Sequence, residues 1–126
     1  MAILYSKTQR FNPRDIEAPR KWYIVPSRVK LKGEKEIAEA LSINTTLSKG
    51  EAGMVLDELQ SVILRTLLDG YSVQMGDWGS FQITVSSEGA DSEAACTPNN
   101  VTAVNIRFRP GKAMKDALSK ATFVAR

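Results

Sequence analysis

Hydrophobic residues alternate with polar ones near the start of the chain, take a helical spacing from residue 34 to about residue 69, and alternate again afterwards. Alternation with period 2 is typical of strands, whereas apolar residues three and four positions apart indicate amphipathic helices. The pattern predicts extended segments at 2–10 and 21–32 and a short helix from Glu34 to about Asn44. Pro26 cannot donate a hydrogen bond to a sheet, so it either puts the second strand at an edge or ends it.

A long helix is predicted from a cap at Ser48 to about Asp69, closed by Gly70. Ser48 and Glu51 have the spacing of a capping box, in which each side chain accepts a backbone N–H of the other residue. The apolar stripe is too wide for one small chain to cover, which predicts a homodimer. Its members are Ala52, Val55, Leu56, Leu59, Val62, Ile63 and Leu67, widened by Met54, Leu64 and Leu68.

The second half alternates again and predicts a sheet followed by a short helix. Strands are expected at 71–75, at 81–86 and from Val101 to Phe108. A turn rich in glycine, GDWGS, joins the first two, and its glycines permit positive φ. Residues 86–100 are small, polar and acidic, which favours a flexible excursion. A last helix is predicted from Lys112 to about Lys120.

Charge is distributed unevenly. Residues 1–33 carry 8 Lys/Arg and 2 Asp/Glu, net +6; residues 34–106 carry 3 and 11, net −8; and residues 107–126 carry 6 and 1, net +5. Basic ends suggest a polyanionic partner held by those ends, although solvated surface charge is the simpler interpretation of any one run.

Several functional classes are unsupported. The chain has no His and a single Cys, so imidazole catalysis, an internal disulfide and a zinc cluster are not expected. Cys96 lies in an acidic segment, which disfavours a thiolate nucleophile. No stretch has the apolar length of a signal or of a membrane span. We predict no enzyme, metal, cofactor or small-molecule substrate, and a cytoplasmic location.

Three stretches carry a resemblance to the HU / integration host factor family of bacterial DNA-bending proteins. They are LSK at 47–49, GYSVQMGDWGSF at 70–81, and FRPGK followed by MKDAL at 108–118. The last is the most specific, and the resemblance as a whole covers residues 34–120, about two thirds of the chain. The first 33 residues fall outside the basic family pattern and resemble the extended HU-like proteins of Bacteroidetes-type bacteria.

The resemblance implies an α+β fold that forms an intertwined dimer. Two helices make a base, three strands make a saddle with a β-arm at about 86–100, and a short helix ends the domain. We predict an N-terminal β extension, with a strand pair, at 1–33 and an HU-like domain at 34–126. The implied function is nucleoid-associated binding of duplex DNA with little sequence preference, through phosphate contacts.

The arm departs from the family pattern. Family arms are rich in Lys and Arg and end in an Arg-Asn-Pro tip, whereas residues 84–106 contain no Lys or Arg and include Glu88, Asp91 and Glu93. Pro98 does not lie in a matching motif. An acidic arm is repelled by phosphate, so we do not assign the arm function to it.

Two groups of cations are the candidate DNA-binding residues. The resemblance places Arg107, Arg109, Lys112 and Lys115 near phosphates, and Lys112 follows Gly111 at a helix start whose amides also attract anions. The alternation in 21–32 predicts a second cationic face made by Arg28, Lys30 and Lys32. Trp22, beside these charges, either belongs to a core, which we favour, or stacks on bases.

Trp78 has two interpretations: a ligand loop or a structural corner. Its position between two strands favours a corner in which it packs against Phe81.

Two functional hypotheses follow. The first is duplex DNA binding by a homodimer in the nucleoid, with bending left open by the acidic arm. The second is an HU-like scaffold that binds protein or surface components through its extra strands.

Overall fold

The structure, a computed structural model, describes residues 1–27 and 30–126. It has an α+β fold, as predicted. In chain order the elements are β1 (Ile3–Arg10), β2 (Lys21–Pro26), α1 (Glu34–Asn44), α2 (Lys49–Leu68), β3 (Val73–Met75), β4 (Gly79–Ser87), a 3-10 helix (Pro98–Asn100), β5 (Val101–Pro110), α3 (Lys112–Ser119) and β6 (Phe123–Ala125).

The helices α1 and α2 begin and end where their sequence signals predict. The Ser48 hydroxyl accepts the Glu51 N–H at 3.1 Å, and the Glu51 carboxylate accepts the Ser48 N–H at 3.2 Å. Hydrogen bonding from the Ser48 hydroxyl and then from its amide lowers the pKa of Glu51. Gly70 has φ +96°, the left-handed conformation that ends a helix. The base of the fold is α1 packed on α2.

The saddle sheet consists of β3, β4 and β5 in that order, with antiparallel neighbours. Gly76, with φ +55°, makes the turn between β3 and β4. The β4–β5 ladder runs from Gly79 paired with Pro110 out to Ser87 paired with Val101, with an irregularity between Ser86 and Ser87. This two-stranded ribbon leads out to the segment predicted as the arm, about 86–100, and α2 packs against β3 and β4.

The N-terminal sheet consists of β2, β1 and β6 in that order. The predicted β1–β2 hairpin is confirmed, but β6 pairs in parallel with β1 and was not predicted. β2 is an edge strand and ends at Pro26, so the predicted strand over 21–32 is too long. The missing N–H of proline explains the end. Arg28 and Val29 lie outside the described residues.

Trp22 corrects another expectation. Its side chain is 65% exposed in the single chain and does not belong to a core. In the described chain, the strand that packs beside β2 is β1.

The single chain buries little apolar surface. Among the described residues, the buried hydrophobic side chains are Ala38, Ala52 and Leu67, while Val55, Leu59 and Val62 of the α2 stripe remain exposed. The accessible area is 10778 Å², whereas a compact monomer of this mass exposes about 6,700 Å². Part of the difference belongs to the ribbon and the N-terminal sheet, and part is the open face of α2.

Candidate nucleic-acid interface

The saddle sheet separates its side chains by face. Residues directly opposite each other in an antiparallel pair point to the same side. Arg107 lies opposite Gln82, and Arg109 lies opposite Ser80. Because strand side chains alternate, both arginines share one face with polar, uncharged neighbours. The members of this polar face are Gln74, Ser80, Gln82, Thr84, Asn105, Arg107 and Arg109.

The opposite face contains an aromatic cluster. The ring centroids of Phe81 and Phe108 lie 4.9 Å apart, those of Trp78 and Phe108 5.2 Å, and those of Trp78 and Phe81 6.2 Å, all in tilted arrangements. These distances are typical of favourable aromatic pairs. The predicted contact of Trp78 with Phe81 is confirmed. Because Phe108 lies between Arg107 and Arg109 in β5 and points into the aromatic cluster, both arginines point to the other face.

The turn at 76–78 holds the start of α3. The Gly111 N–H donates to the Trp78 carbonyl at 2.8 Å, and the Ala113 N–H donates to the Asp77 carbonyl at 3.2 Å. A Cβ atom on Gly111 would overlap the Asp77 carbonyl, and one on Gly79 would overlap the Phe108 ring. The turn at 76–79 and the Pro110-Gly111 segment are far apart in the sequence but pack tightly against each other. This contact fixes the position of α3 at the end of β5.

Lys112 and Lys115 are exposed at the start of α3 and lie three positions apart, so they share a side of the helix. The amide groups there are less available than the sequence suggests. Ala113, in the first turn, already donates to Asp77. The lysine side chains, rather than this amide, are the groups free to reach an anion.

Among the described residues, no carboxylate lies within 4.0 Å of Arg107, Arg109, Lys112 or Lys115. In residues 1–27 and 30–126, ion pairs join Lys49 with Glu39 at 3.8 Å and Arg65 with Glu58 at 3.1 Å, and both lie on the helices. A concavity of about 490 Å³ opens on the polar face, lined by Gln74, Ser80, Gln82 and Arg109 among others. The arrangement offers cationic and neutral donors to an extended anion.

The end of the ribbon has a different character. The excursion predicted at 86–100 is the loop between β4 and β5, closed by a 2.8 Å bond from the Glu88 N–H to the Asn100 carbonyl. Pro98 begins a 3-10 helix within it, and Thr97 and Asn100 cap each other. The loop's charged residues are acidic, so positive charge ends at Arg107.

The predicted cationic face of the N-terminal segment is not formed as expected. Lys30 and Lys32 are exposed, but they lie between β2 and α1 rather than on a strand. Arg28 lies outside the described residues. Sequence reasoning also missed Ser80, Gln82 and Asn105 as neighbours of the arginines, although the polar alternation of 80–86 signals a shared face.

Other kinds of site find little support in the described part of the chain. No group of three or more metal-ligating side chains occurs there. None of its helices combines the length and apolarity needed to cross a membrane. Cys96 is exposed.

Comparison with known proteins adds a family match and close relatives in sequence. A family model described as "HU domain fused to wHTH, Ig, or Glycine-rich motif" matches residues 1–125. DNA-binding protein HU of Xylella fastidiosa (strain Temecula1 / ATCC 700964) is 31% identical over 88 residues, which is 68% of this chain and 94% of that protein. Its counterpart from strain 9a5c is 32% identical over 85 residues, 66% and 90% of the two chains.

Solved structures share the fold. A putative bacterial DNA binding protein from Bacteroides vulgatus ATCC 8482 matches with a TM-score of 0.66 and 11% identity over 98% of this chain. This chain spans 48% of that longer one. The Anabaena HU-DNA cocrystal structure matches with a TM-score of 0.56 and 18% identity, over 71% of this chain and 99% of that one.

Proposed function

The chain belongs to the family of HU domains fused to wHTH, Ig or glycine-rich motifs, and from that premise we propose that it binds duplex DNA as a homodimer with little sequence preference. HU-type proteins are DNA-binding proteins of the bacterial nucleoid and not enzymes. The observation that carries the proposal is the polar face of the saddle sheet, with Arg107 and Arg109 unpaired and Lys112 and Lys115 next to them.

The proposed contacts are with phosphate. A phosphate needs a cation or a good neutral donor, and the polar face supplies both: two guanidinium groups and the amide and hydroxyl groups of Gln82 and Ser80. Both arginines are exposed on the sheet face, which favours contact with the repeating backbone over contact with one base sequence. Such binding is electrostatic and depends steeply on salt.

The homodimer is supported by the open face of α2. Val55, Leu59 and Val62 lie at i, i+4 and i+7 and remain exposed, while the chain exposes about 4,000 Å² more than a compact monomer of its mass. Part of this excess belongs to the ribbon and the N-terminal sheet, and the rest leaves room for the area of about 1,000–2,500 Å² that each chain of an obligate dimer buries. A charge in this stripe opposes burial, so a Val62→Glu chain is expected to sediment as a monomer while the parent sediments as a dimer at micromolar concentration. A monomeric parent would contradict the proposal.

The DNA-binding experiment is a titration of a 30–40 bp duplex over a series of salt concentrations. The log–log slope should be about −0.9 per phosphate neutralised. We expect Arg107→Gln/Arg109→Gln to weaken binding and to reduce the size of the slope by up to about 3.6, because the homodimer loses four phosphate contacts, two from each chain.

The matched control removes the same charge elsewhere. Lys49→Gln/Arg65→Gln takes two cations from α2, where each is paired with a carboxylate. Its slope should equal that of the parent. Equal losses in the two variants would mean that only net charge matters, and no binding by the parent at low ionic strength would rule out the function.

We propose weak bending for the same complex. The end of the ribbon carries Glu88, Asp91 and Glu93 and no cation, so it is repelled from the groove into which a basic arm would insert. Replacing the three acids with Lys should tighten duplex binding and bring the ends of a labelled duplex closer together by energy transfer. Strong bending by the parent would contradict this part of the proposal. A protein with this duplex-binding function acts in the bacterial nucleoid and therefore in the cytoplasm.

The scaffold hypothesis remains the second candidate, favoured by the acidic ribbon end and by the apolar residues exposed on the N-terminal sheet. A quadruple variant at Arg107, Arg109, Lys112 and Lys115 separates the two. If it still dimerises and still supports the protein's role in the cell, the scaffold is the better description. The division at residue 33 also remains a proposal.

A further inference from the structure

The loop end of the N-terminal sheet contains a second concavity, separate from the saddle sheet. Its volume is about 530 Å³, and we call it the tip concavity. Its lining includes two cations, two aromatic rings and two prolines: Arg10, Lys21, Phe11, Tyr23, Pro13 and Pro19. No member of the proposed duplex interface lines it.

The positions of Arg10 and Lys21 destabilise the sheet rather than stabilise it. Arg10 is directly opposite Lys21 in the β1–β2 ladder, and like charges in that position repel. In the described chain no carboxylate lies within 4.0 Å of either one. The nearby Asp15 carboxylate instead accepts the Glu17 N–H at 3.2 Å. An anion between Arg10 and Lys21 would relieve the repulsion.

The two rings are exposed beside these charges. Phe11 is 53% exposed and Tyr23 is 48% exposed, and Tyr23 shares the strand face of Lys21 because it lies two residues further along β2. Exposed aromatic faces next to cations are the arrangement with which proteins hold unpaired nucleotides: the bases stack and the cations follow the phosphates. In a duplex the base faces are already stacked on each other, so these rings favour an unpaired strand.

The loop that shapes the tip concavity is held in place before any ligand arrives. The Arg14 N–H donates to the Asn12 side-chain oxygen at 2.9 Å, and the Asp15 N–H donates to the Asn12 carbonyl at 3.1 Å. The rings of Pro13 and Pro19 fix their own backbone angles. A rigid concavity loses little conformational freedom on binding.

We propose that the tip concavity binds single-stranded DNA, with a phosphate between Arg10 and Lys21 and a base against Phe11 or Tyr23. This goes beyond duplex binding by the saddle sheet, because it uses another sheet and another form of DNA. A protein that holds both forms can sit where a duplex opens or ends.

The test is an anisotropy titration of the full chain with labelled dT20, which forms no duplex, and with a 30 bp duplex in parallel. We expect Phe11→Ala/Tyr23→Ala to weaken dT20 binding about tenfold or more, and Arg10→Gln/Lys21→Gln to do the same. Duplex affinity should stay within twofold in both variants. Trp22→Ala is the matched aromatic control, since it is exposed on the same hairpin but on the other face.

The outcomes separate this site from the duplex site. Arg107→Gln/Arg109→Gln should weaken duplex binding and leave dT20 binding unchanged, so failure at one site is visible independently of the other. Unchanged dT20 affinity in Phe11→Ala/Tyr23→Ala would overturn the proposal. So would equal losses in Trp22→Ala, or displacement of dT20 by poly-glutamate as effectively as by unlabelled dT20. Circular dichroism of each variant shows that the sheet remains folded.

Discussion

The saddle sheet and the N-terminal sheet have three strands each, but their polar and apolar side chains are distributed differently. In the saddle sheet the two faces differ: aromatic rings lie on one and the polar residues with Arg107 and Arg109 lie on the other. In the N-terminal sheet the two ends differ. Ile3 and Leu4 pair with Phe123 and Val124 at one end, and Arg10 and Lys21 lie at the loop end.

The difference has a structural consequence. A sheet with one apolar face can pack on helices and present the other face to a ligand. The saddle sheet does so, since α2 contacts β3 and β4. In the N-terminal sheet, Trp22, Ile24 and Phe123 share a face but remain exposed in the single chain, so the stability of this sheet depends more on its own ladder. We therefore expect changes in the saddle sheet to affect global stability more.

The largest effect should come from Gly111→Ala. Gly111 has φ −81°, so the new side chain meets no backbone strain. Its Cβ would instead overlap the Asp77 carbonyl and force apart the Gly111–Trp78 hydrogen bond. We expect a loss of about 3 kcal/mol in the free energy of unfolding, measured by urea titration. Gly89→Ala, with nothing within 4 Å of the added atom, is the control and should change stability by less than about 0.5 kcal/mol.

The two tryptophans provide the next comparison. Trp78 is 51% exposed and contacts two rings, whereas Trp22 is 65% exposed and makes no aromatic pair among the described residues. Trp78→Ala should cost about 2–3 kcal/mol, less than for a fully buried Trp. Trp22→Ala should cost less than about 1 kcal/mol. Equal losses in thermal or urea unfolding would mean that the N-terminal sheet is covered as well as the saddle sheet is.

A helix cap tests whether the sheets unfold together. Ser48→Ala removes one partner of the capping box and should cost about 1 kcal/mol. Because α2 contacts the saddle sheet, the midpoint reported by Trp78 fluorescence in a Trp22→Phe background should fall. The midpoint reported by Trp22 in a Trp78→Phe background should not. Coincident shifts would show that the two sheets form one cooperative unit.

A smaller change of the opposite sign is expected from Lys21→Glu. It replaces the like-charged pair Arg10–Lys21 by an attractive one, which should stabilise the N-terminal sheet by about 0.5 kcal/mol. Differential scanning calorimetry measures the gain. A loss of stability would mean that an unseen anionic group already neutralises Lys21.

The smallest expected effect concerns pH. The pKa of Glu51 is lowered in the folded chain by hydrogen bonds from Ser48. Its contribution to stability is therefore present above the usual carboxyl pKa and is lost as the pH falls through the lowered value. The urea midpoints of the parent and of Glu51→Gln should differ at about pH 7, and the difference should shrink as the pH falls below the usual carboxyl pKa. If the midpoints converge only when Trp78 fluorescence reports them, the two sheets unfold independently.

Local patterns predicted most of the fold. The capping box, Gly70 and the apolar spacing located both helices, and alternation located β1, β4 and β5. Two features were beyond local reasoning. β6 has only three residues, too few for a period, and its partner Ile3 lies at the other end of the chain. Trp22 has the pattern of a half-buried strand, but the pattern does not reveal whether another element packs on it.

The candidate site was predictable in part for the same reason. The basic stretch at 107–115 stands out in the sequence, and alternation puts Arg107 and Arg109 on one face. Their neighbours Gln82 and Ser80 depend on ladder register, which is set by the turn and by the contact between Gly79 and Phe108. The Ala113 amide is unavailable to an anion because it donates to the Asp77 carbonyl in a turn that is distant in the sequence. No local sequence pattern reveals this hydrogen bond.

The parallel pairing of β6 with β1 also orders the events of synthesis. The β1–β2 hairpin can form as soon as it leaves the ribosome, because domains generally fold from the N-terminus as they are made. Its third strand, β6, is translated only after the two helices and the saddle sheet. Until Phe123 pairs with Ile3, and until the Thr122 hydroxyl reaches the Met1 carbonyl, one edge of β1 stays open to other chains. The nascent protein therefore carries an open β1 edge from the time the hairpin forms until β6 has been translated.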